Sequence, residues 1–297
     1  MNKVTRRYFI TRSLGGVAGG TLVGALAPSE AGAQRRSSRN RGRSGRPRVV
    51  PPHKIYGKSG AEDDPDTFVF PRLKFKTLTN TEDRWDAHPN SDENFLAYLG
   101  AKTNLRLSGK TWQERVIHIA ELEKAYKDPD DSILYSLPFL FMTGEGEFQF
   151  SEVEAATLGE YFKRGGFLYA DDCVQGTRGR RAQASGNSSR AGFGGDFFYK
   201  AFKREITEVL PGYQMEPVPF DHEIYHCFYD FKQGAPVCQG QPNPDLGLIF
   251  NGRLVAFLTS GDIHCGWIHD VNSSRTGRVI QEAYNMGVNI VIYALTH

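Results

Sequence analysis

The chain has 297 residues, 39% of them hydrophobic, with 36 Lys or Arg against 34 Asp or Glu. Its length suits a sizeable buried core, so it needs no disulfide framework. Its four cysteines, Cys173, Cys227, Cys238 and Cys265, allow three pairings among which their spacing does not choose. Beyond residue 33 no run is long and apolar enough for a membrane helix.

The N-terminus carries "TRRYFITRSLGG", with paired Arg6 and Arg7 followed by Phe9 and Ile10, which resembles a twin-arginine export signal. A weakly apolar, Gly-rich stretch follows over 14–27, and then "AGA" at 31–33, an A-x-A cleavage site. We expect a removed signal peptide over 1–33, a mature start at Gln34, and a periplasmic or extracellular location. Twin-arginine passengers fold before they cross the membrane, and some of them carry a cofactor inserted in the cytoplasm.

Residues 34–60 contain nine Lys or Arg, no acid and almost nothing to bury. This composition predicts a disordered basic arm. Residues 61–297 hold 23 basic and 33 acidic residues, so the near-neutral total combines a basic arm with an acidic domain. The arm reads as a spacer, or as a tether to an envelope partner, an anionic polymer or lipid headgroups. Export argues against a nucleic-acid partner.

Residues 61–297 read as one α/β domain. Alternation predicts a strand over 68–78, and Ser91 or Asp92 caps a helix bearing Phe95, Leu96 and Leu99. A second helix is expected over 111–127. "SILYSLPFLFMTGEG" holds a buried strand ending at Thr143-Gly144. Ser151 and Glu154 form a capping box, and Gly165-Gly166 stop that helix. "FLYADD" is a strand running into Asp171 and Asp172. The Gly-, Ser- and Arg-rich segment 174–196 reads as a long loop. A helix follows, stopped by Pro211-Gly212, and then extended "MEPVPF". "LGLIFNGRLVAFLTS" is a hairpin turning at Asn251-Gly252. A helix ending at Gly287 and a closing strand, "VNIVIYALTH", complete the chain.

Strands alternating with helices predict a three-layer sandwich around a mostly parallel sheet, with one hairpin near the C-terminus. Ligands of such sheets gather at the carboxyl ends of the strands. The polar residues expected there are Thr143, Glu145, Asp171, Asp172, Asp262, His264 and His297.

"HEIYH" at 222–226 matches the zinc-protease pattern H-E-x-x-H. That chemistry needs a long helix, whereas Pro217 and Pro219 favour extended backbone upstream and no third ligand follows. We expect a short turn packed on the sheet, with His222 available to some other site.

The stretches "FPRLKF", "DENFLAYLGAKTNLRL", "PFLFMTGEGEFQFSEVE", "LGEYFKRGGFLYADD", "FYKAFKREITEVLPG", "PVPFDHEIYHCFYDF", "NGRLVAFLTSGDIHCGW" and "GVNIVIYALTH" span nearly all of 68–297. Together they resemble an uncharacterised bacterial domain-of-unknown-function family. The resemblance implies a class I glutamine amidotransferase-like, or flavodoxin-like, fold in a protein that is frequently exported or membrane-tethered. The chain departs from the family's frequent T-G-H-G with Thr143-Gly144-Glu145-Gly146, and from N-D-I-G-D-x-W-E with "GDIHCGWI" over 261–268.

Amidotransferase chemistry needs a Cys nucleophile on a tight strand-to-helix elbow. Cys173 is followed by the long segment, and Cys265 adjoins His264 with the side chains of a strand alternating between faces, so neither cysteine is expected to serve. Two functions remain. One is a non-catalytic ligand- or partner-binding envelope module. The other is a hydrolase built on Asp171, Asp172, Asp262 and His264, with Thr143, Glu145 and His222 as ligand-binding candidates and a divalent cation as a possible cofactor. Alternation should send one of Asp171 and Asp172 toward Gly176 and the other to the crevice. Glu145 in place of the frequent His favours a harder, oxygen-rich site over zinc.

Overall fold

A computed structural model describes residues 67–78, 85–129, 134, 137–173, 196–239, 243–271 and 277–297. The leader, the basic arm and the predicted loop contact at Gly176 lie outside those residues.

Seven strands among the described residues form one sheet: β1 Arg72–Lys74, β2 Val116–His118, β3 Phe139–Gly144, β4 Phe167–Asp172, β5 Met215–Pro217, β6 Leu246–Phe250 and β7 Arg253–Thr259. Their order is β2-β1-β3-β4-β7-β6-β5. The first five in that order run parallel, and β6 and β5 add antiparallel at one edge. The β6–β7 hairpin turns through Asn251 at φ 50° and Gly252 at φ 77°, the positive-φ pair that a type I′ turn requires.

Six helices among the described residues cover the sheet: α1 Pro89–Lys102, α2 Ala120–Lys127, α3 Glu152–Lys163, α4 Asp196–Val209, α5 Ile263–Gly266 and α6 Arg278–Thr296. Strand alternation sorts the core into two layers. Leu140 and Met142 of β3, with Leu168 and Ala170 of β4, pack under Leu158 of α3 and Phe202 of α4. Phe139, Phe141, Phe167 and Tyr169 face the other way, toward Phe95 of α1, Trp267 just after α5, and Tyr284 of α6. Each of these large side chains removed from water contributes roughly 1.5–3 kcal/mol.

Several predicted elements are corrected. The strand expected over 68–78 is confined to Arg72–Lys74, with single bridges at Phe68 and Thr77. Helix α1 starts at Pro89 behind a left-handed His88, so Ser91 and Asp92 lie buried in its first turn instead of capping it. The helix expected over 111–127 divides into a short turn, edge strand β2 and α2, because Val116–His118 finds a parallel partner in β1.

The largest correction is at the C-terminus. The expected helix and closing strand are one helix, α6, that runs through Gly287. An apolar run buried on every side reads equally well as strand or helix, and packing decides. Gly287 is a contact point and not a stop: a Cβ there would lie 2.5 Å from Phe95 and 2.8 Å from Trp267. The capping box at Ser151 and Glu154 is present as expected. No helix among the described residues is long and apolar enough to cross a membrane.

Candidate functional site

The parallel register sets Thr143 of β3, Asp171 of β4 and Thr259 of β7 side by side at the carboxyl edge. Thr143 Oγ1 donates to the Asp171 backbone carbonyl at 2.9 Å, which ties the two strand ends together. The Asp171 side chain follows Phe167 and Tyr169 to the α1/α5/α6 face. There Thr259 Oγ1 donates to its Oδ1 at 2.6 Å, and the His264 backbone N–H donates to its Oδ2 at 2.8 Å. Asp172 alternates to the opposite face and is also buried.

Asp262 sits at the turn between β7 and α5 with a left-handed backbone, φ 52° and ψ 46°. That conformation costs a non-glycine residue of order 1–3 kcal/mol and persists only where the surroundings enforce it. Part of the enforcement is at Gly261. A Cβ there would meet the Pro236 carbonyl at 2.3 Å, and the Gly261 carbonyl accepts from the Cys238 N–H at 2.7 Å. The 236–239 segment is thereby pressed against the turn, and Gln239 Nε2 donates to Asp262 Oδ2. Burial, and next the charge of Asp262, push the Asp171 carboxyl well above the usual carboxylate range; the Thr259 hydroxyl and the N–H groups of His264 and Ile263 oppose the shift.

His264 is fully buried beside Arg72. Arg72, on β1, spends its guanidinium inside the protein. Nε and Nη2 donate to the two Asp92 oxygens at 3.1 and 2.6 Å, Nη1 donates to the Trp85 and Ala87 carbonyls, and Nη2 also meets His264 Nε2 at 3.0 Å. Because Arg can only donate, His264 Nε2 accepts and the neutral ring carries its proton on Nδ1. Burial, followed by the charges of Arg72 and His88, holds the His264 pKa well below its ordinary value.

The thiols arrive by a route that strand alternation alone does not describe. Residues 263–266 are a helical turn and not a strand, so the expectation that Cys265 points away from its neighbours' face does not hold. Cys173, just past β4, and Cys265 bring their Sγ atoms to 3.8 Å as free thiols. Glu145 Oε1 lies 4.0 Å from Cys173 Sγ. Contact with Cys265 draws the Cys173 thiol down, but burial and the carboxylates of Asp262, Glu145 and Asp171 outweigh it, and the net shift is upward. Contact with Cys173, and then burial, push the Cys265 thiol above its ordinary range. Ligand atoms of Cys173, Asp262 and Cys265 lie within 4.8 Å of one another, as do those of Asp171, Asp262 and His264.

Other candidates go elsewhere. His222 caps a one-turn helix, Glu223–Tyr225, its Nδ1 accepting from the Ile224 N–H at 3.1 Å. Its ring neighbours Tyr293, whose hydroxyl accepts from Leu254 N–H near the start of β7, the end opposite Asp262. His226 contacts Asp230 and the Phe220 carbonyl, while Glu223 pairs with His297 at 2.9 Å. The H-E-x-x-H residues therefore have separate partners on a turn too short for zinc-protease geometry. His297 ends helix α6, not a strand, and so does not reach the carboxyl edge.

The sequence pattern of a family described as a domain of unknown function, DUF4159, matches residues 70–295. The chain belongs to the DUF4159 family. No curated protein matches it. The matched span contains the whole strand-end cluster of this DUF4159 domain, from Arg72 to Cys265.

Sequence reasoning found Asp171, Asp262 and His264 in this DUF4159 domain and missed Arg72, Asp92, Gln239 and the Cys173–Cys265 contact. Two signals were available. An Arg stands inside the apolar strand "FPRLKF", where an unpaired charge would be costly, and each cysteine closely follows a polar strand end.

Proposed function

We propose that the chain is an exported envelope protein whose α/β domain binds a ligand or partner without turning it over. The observation that most supports this is the closure of the strand-end cluster: Asp171, Asp172, Asp262 and His264 are 0% exposed and Arg72 is 1%. The Cys173 and Cys265 thiols are both shifted upward, which disfavours the free thiolate that a cysteine nucleophile needs. A class I glutamine amidotransferase-like version of the sandwich is part of this reading, supported by the left-handed turn after β7. Where that chemistry needs cysteine, the turn carries Asp262.

Export rests on the paired Arg6 and Arg7 and on "AGA" at 31–33, and the basic arm 34–60 supplies the hold on an anionic envelope polymer or lipid headgroup. The test is retention of the mature chain, and of a chain lacking 34–60, on an anionic polysaccharide and on vesicles with and without anionic lipid. Salt-sensitive retention of the mature chain alone is expected. Equal retention of both chains would refute the tether. Intact mass from the envelope should begin at Gln34; a chain beginning at Met1 there would refute cleavage.

A hydrolase is the second reading, favoured by the strained backbone of Asp262 and the raised carboxyl of Asp171 beside it. A panel of ester, amide, phosphate and glycoside substrates separates the two. Turnover abolished by Asp262→Asn would replace the binding reading with this one.

A further inference from the structure

We infer that Cys173, Cys265 and Asp262 form a structural zinc site. The reading goes beyond the proposed binding role and does not depend on it.

The spacing carries the assignment. Two thiolates at about 2.3 Å from a tetrahedral zinc stand about 3.8 Å apart, and a thiolate and a carboxylate oxygen about 3.6 Å apart. Cys173 and Cys265 are at 3.8 Å, the separation of that geometry. An Asp262 oxygen shares the cluster with both sulfurs. The three ligands that define the site are fixed by separate pieces of backbone: the end of β4, the turn after β7 and the first turn of α5.

The donor set also selects the metal. Thiolate and carboxylate together suit zinc, whereas calcium and magnesium take all-oxygen sites. The sequence expectation of a hard, oxygen-rich site rested on the strand-end aspartates and Glu145 and did not place cysteines beside them. The competing group, Asp171, Asp262 and His264, is a poorer cage. Nε2 of His264 accepts from Arg72 and its Nδ1 carries the proton, so the ring offers no lone pair, and the Arg72 guanidinium stands beside it. Both Asp171 oxygens already accept hydrogen bonds.

Binding costs each thiol its proton, released to solvent, and places a dication among carboxylates that otherwise crowd one another. A twin-arginine passenger would acquire the ion in the reducing cytoplasm, before an oxidising compartment could join the two sulfurs.

The test is the metal content of the full chain purified in reducing buffer without added metal. About one zinc per chain is expected. It should be lost in Cys173→Ser and Cys265→Ser and kept in Cys227→Ser, whose sulfur instead contacts the Asn289 carbonyl. To keep the test independent of whether the cysteine variants fold, cobalt is also exchanged into the wild type. A thiolate-to-cobalt charge-transfer band with tetrahedral d–d absorption is expected, together with protection of Cys173 and Cys265, but not Cys227, from alkylation. The assignment is overturned by cobalt uptake without that band, by absence of uptake, by alkylation unchanged when metal is bound, or by a Cys173–Cys265 disulfide in the purified chain.

Discussion

Two groups of buried charge lie side by side under α1 and α5, and they are built on opposite plans. At β1, Arg72 meets Asp92 through two hydrogen bonds and gives its remaining donors to the Trp85 and Ala87 carbonyls and to His264. At β4 and β7, Asp171 faces Asp262, like charge against like, with the cysteines and Glu145 beside them. The first group is compensated from within and works as a clamp joining β1 to α1. The second sets like charges against each other, which is the mark of a place prepared for a proton or a cation. Burial alone therefore does not identify a functional group; the sign of its nearest charged neighbour does.

The largest effect is expected at the clamp. Arg72→Ala leaves Asp92 buried without its counter-charge and should lower stability by about 3–5 kcal/mol in denaturant unfolding. A loss below about 1 kcal/mol would show that water reaches Asp92 and that the two groups do not differ as described.

Next comes a half-buried carboxyl outside both groups, Asp245, which accepts from the Ala235 N–H at 2.8 Å and the Tyr225 hydroxyl at 2.8 Å. Burial pushes its pKa up to about 6, with those two donors opposing. A carboxyl raised on folding binds its proton more tightly in the native state, so its contribution falls as pH rises from about 4 to about 6. Asp245→Asn keeps the acceptor and removes the charge. Relative to wild type it should gain up to about 3 kcal/mol across that window, measured by unfolding at several pH values. A constant difference would mean that Asp245 titrates normally. His264, whose pKa is lowered, acts with the opposite slope below its unfolded value, so the comparison has to be made between variants and not on wild type alone.

Asp171→Asn should cost far less than Arg72→Ala. It gives up an accepted bond from the His264 N–H, worth about 1 kcal/mol, and relieves the repulsion from Asp262. A loss as large as that of Arg72→Ala would make Asp171 a structural residue like Asp92. Gly287→Ala tests the roof shared by both groups. The new methyl collides with Phe95 and Trp267 and should cost about 1–3 kcal/mol, despite the better helix propensity of alanine. Removal of 34–60 should fall at the bottom of the scale, within about 0.5 kcal/mol, because that segment has almost nothing apolar to bury.

Local chemistry was legible in the sequence wherever one residue type settles a conformation. Ser151 and Glu154 specify a capping box, Asn251-Gly252 a hairpin, and "FLYADD" a buried strand ending in carboxylates, because each depends on neighbours a few residues away. The alternating order of strands and helices was enough to predict a mostly parallel sheet with helices on both faces. What depends on distant partners was not legible. The run 288–295 is buried on all sides and apolar except at Asn289, and packing such as that of Gly287 against Phe95 and Trp267 makes it helix and not strand. The meeting of Cys173 with Cys265 crosses 92 positions of chain, that of Arg72 with His264 crosses 192, and both are created by the parallel register that aligns the ends of β1, β4 and β7. The sequence by itself determined the residue types and local turns from which the site is made. Which of them face one another was decided by the tertiary structure, since side-chain proximity across a sheet follows from strand order and not from spacing along the chain.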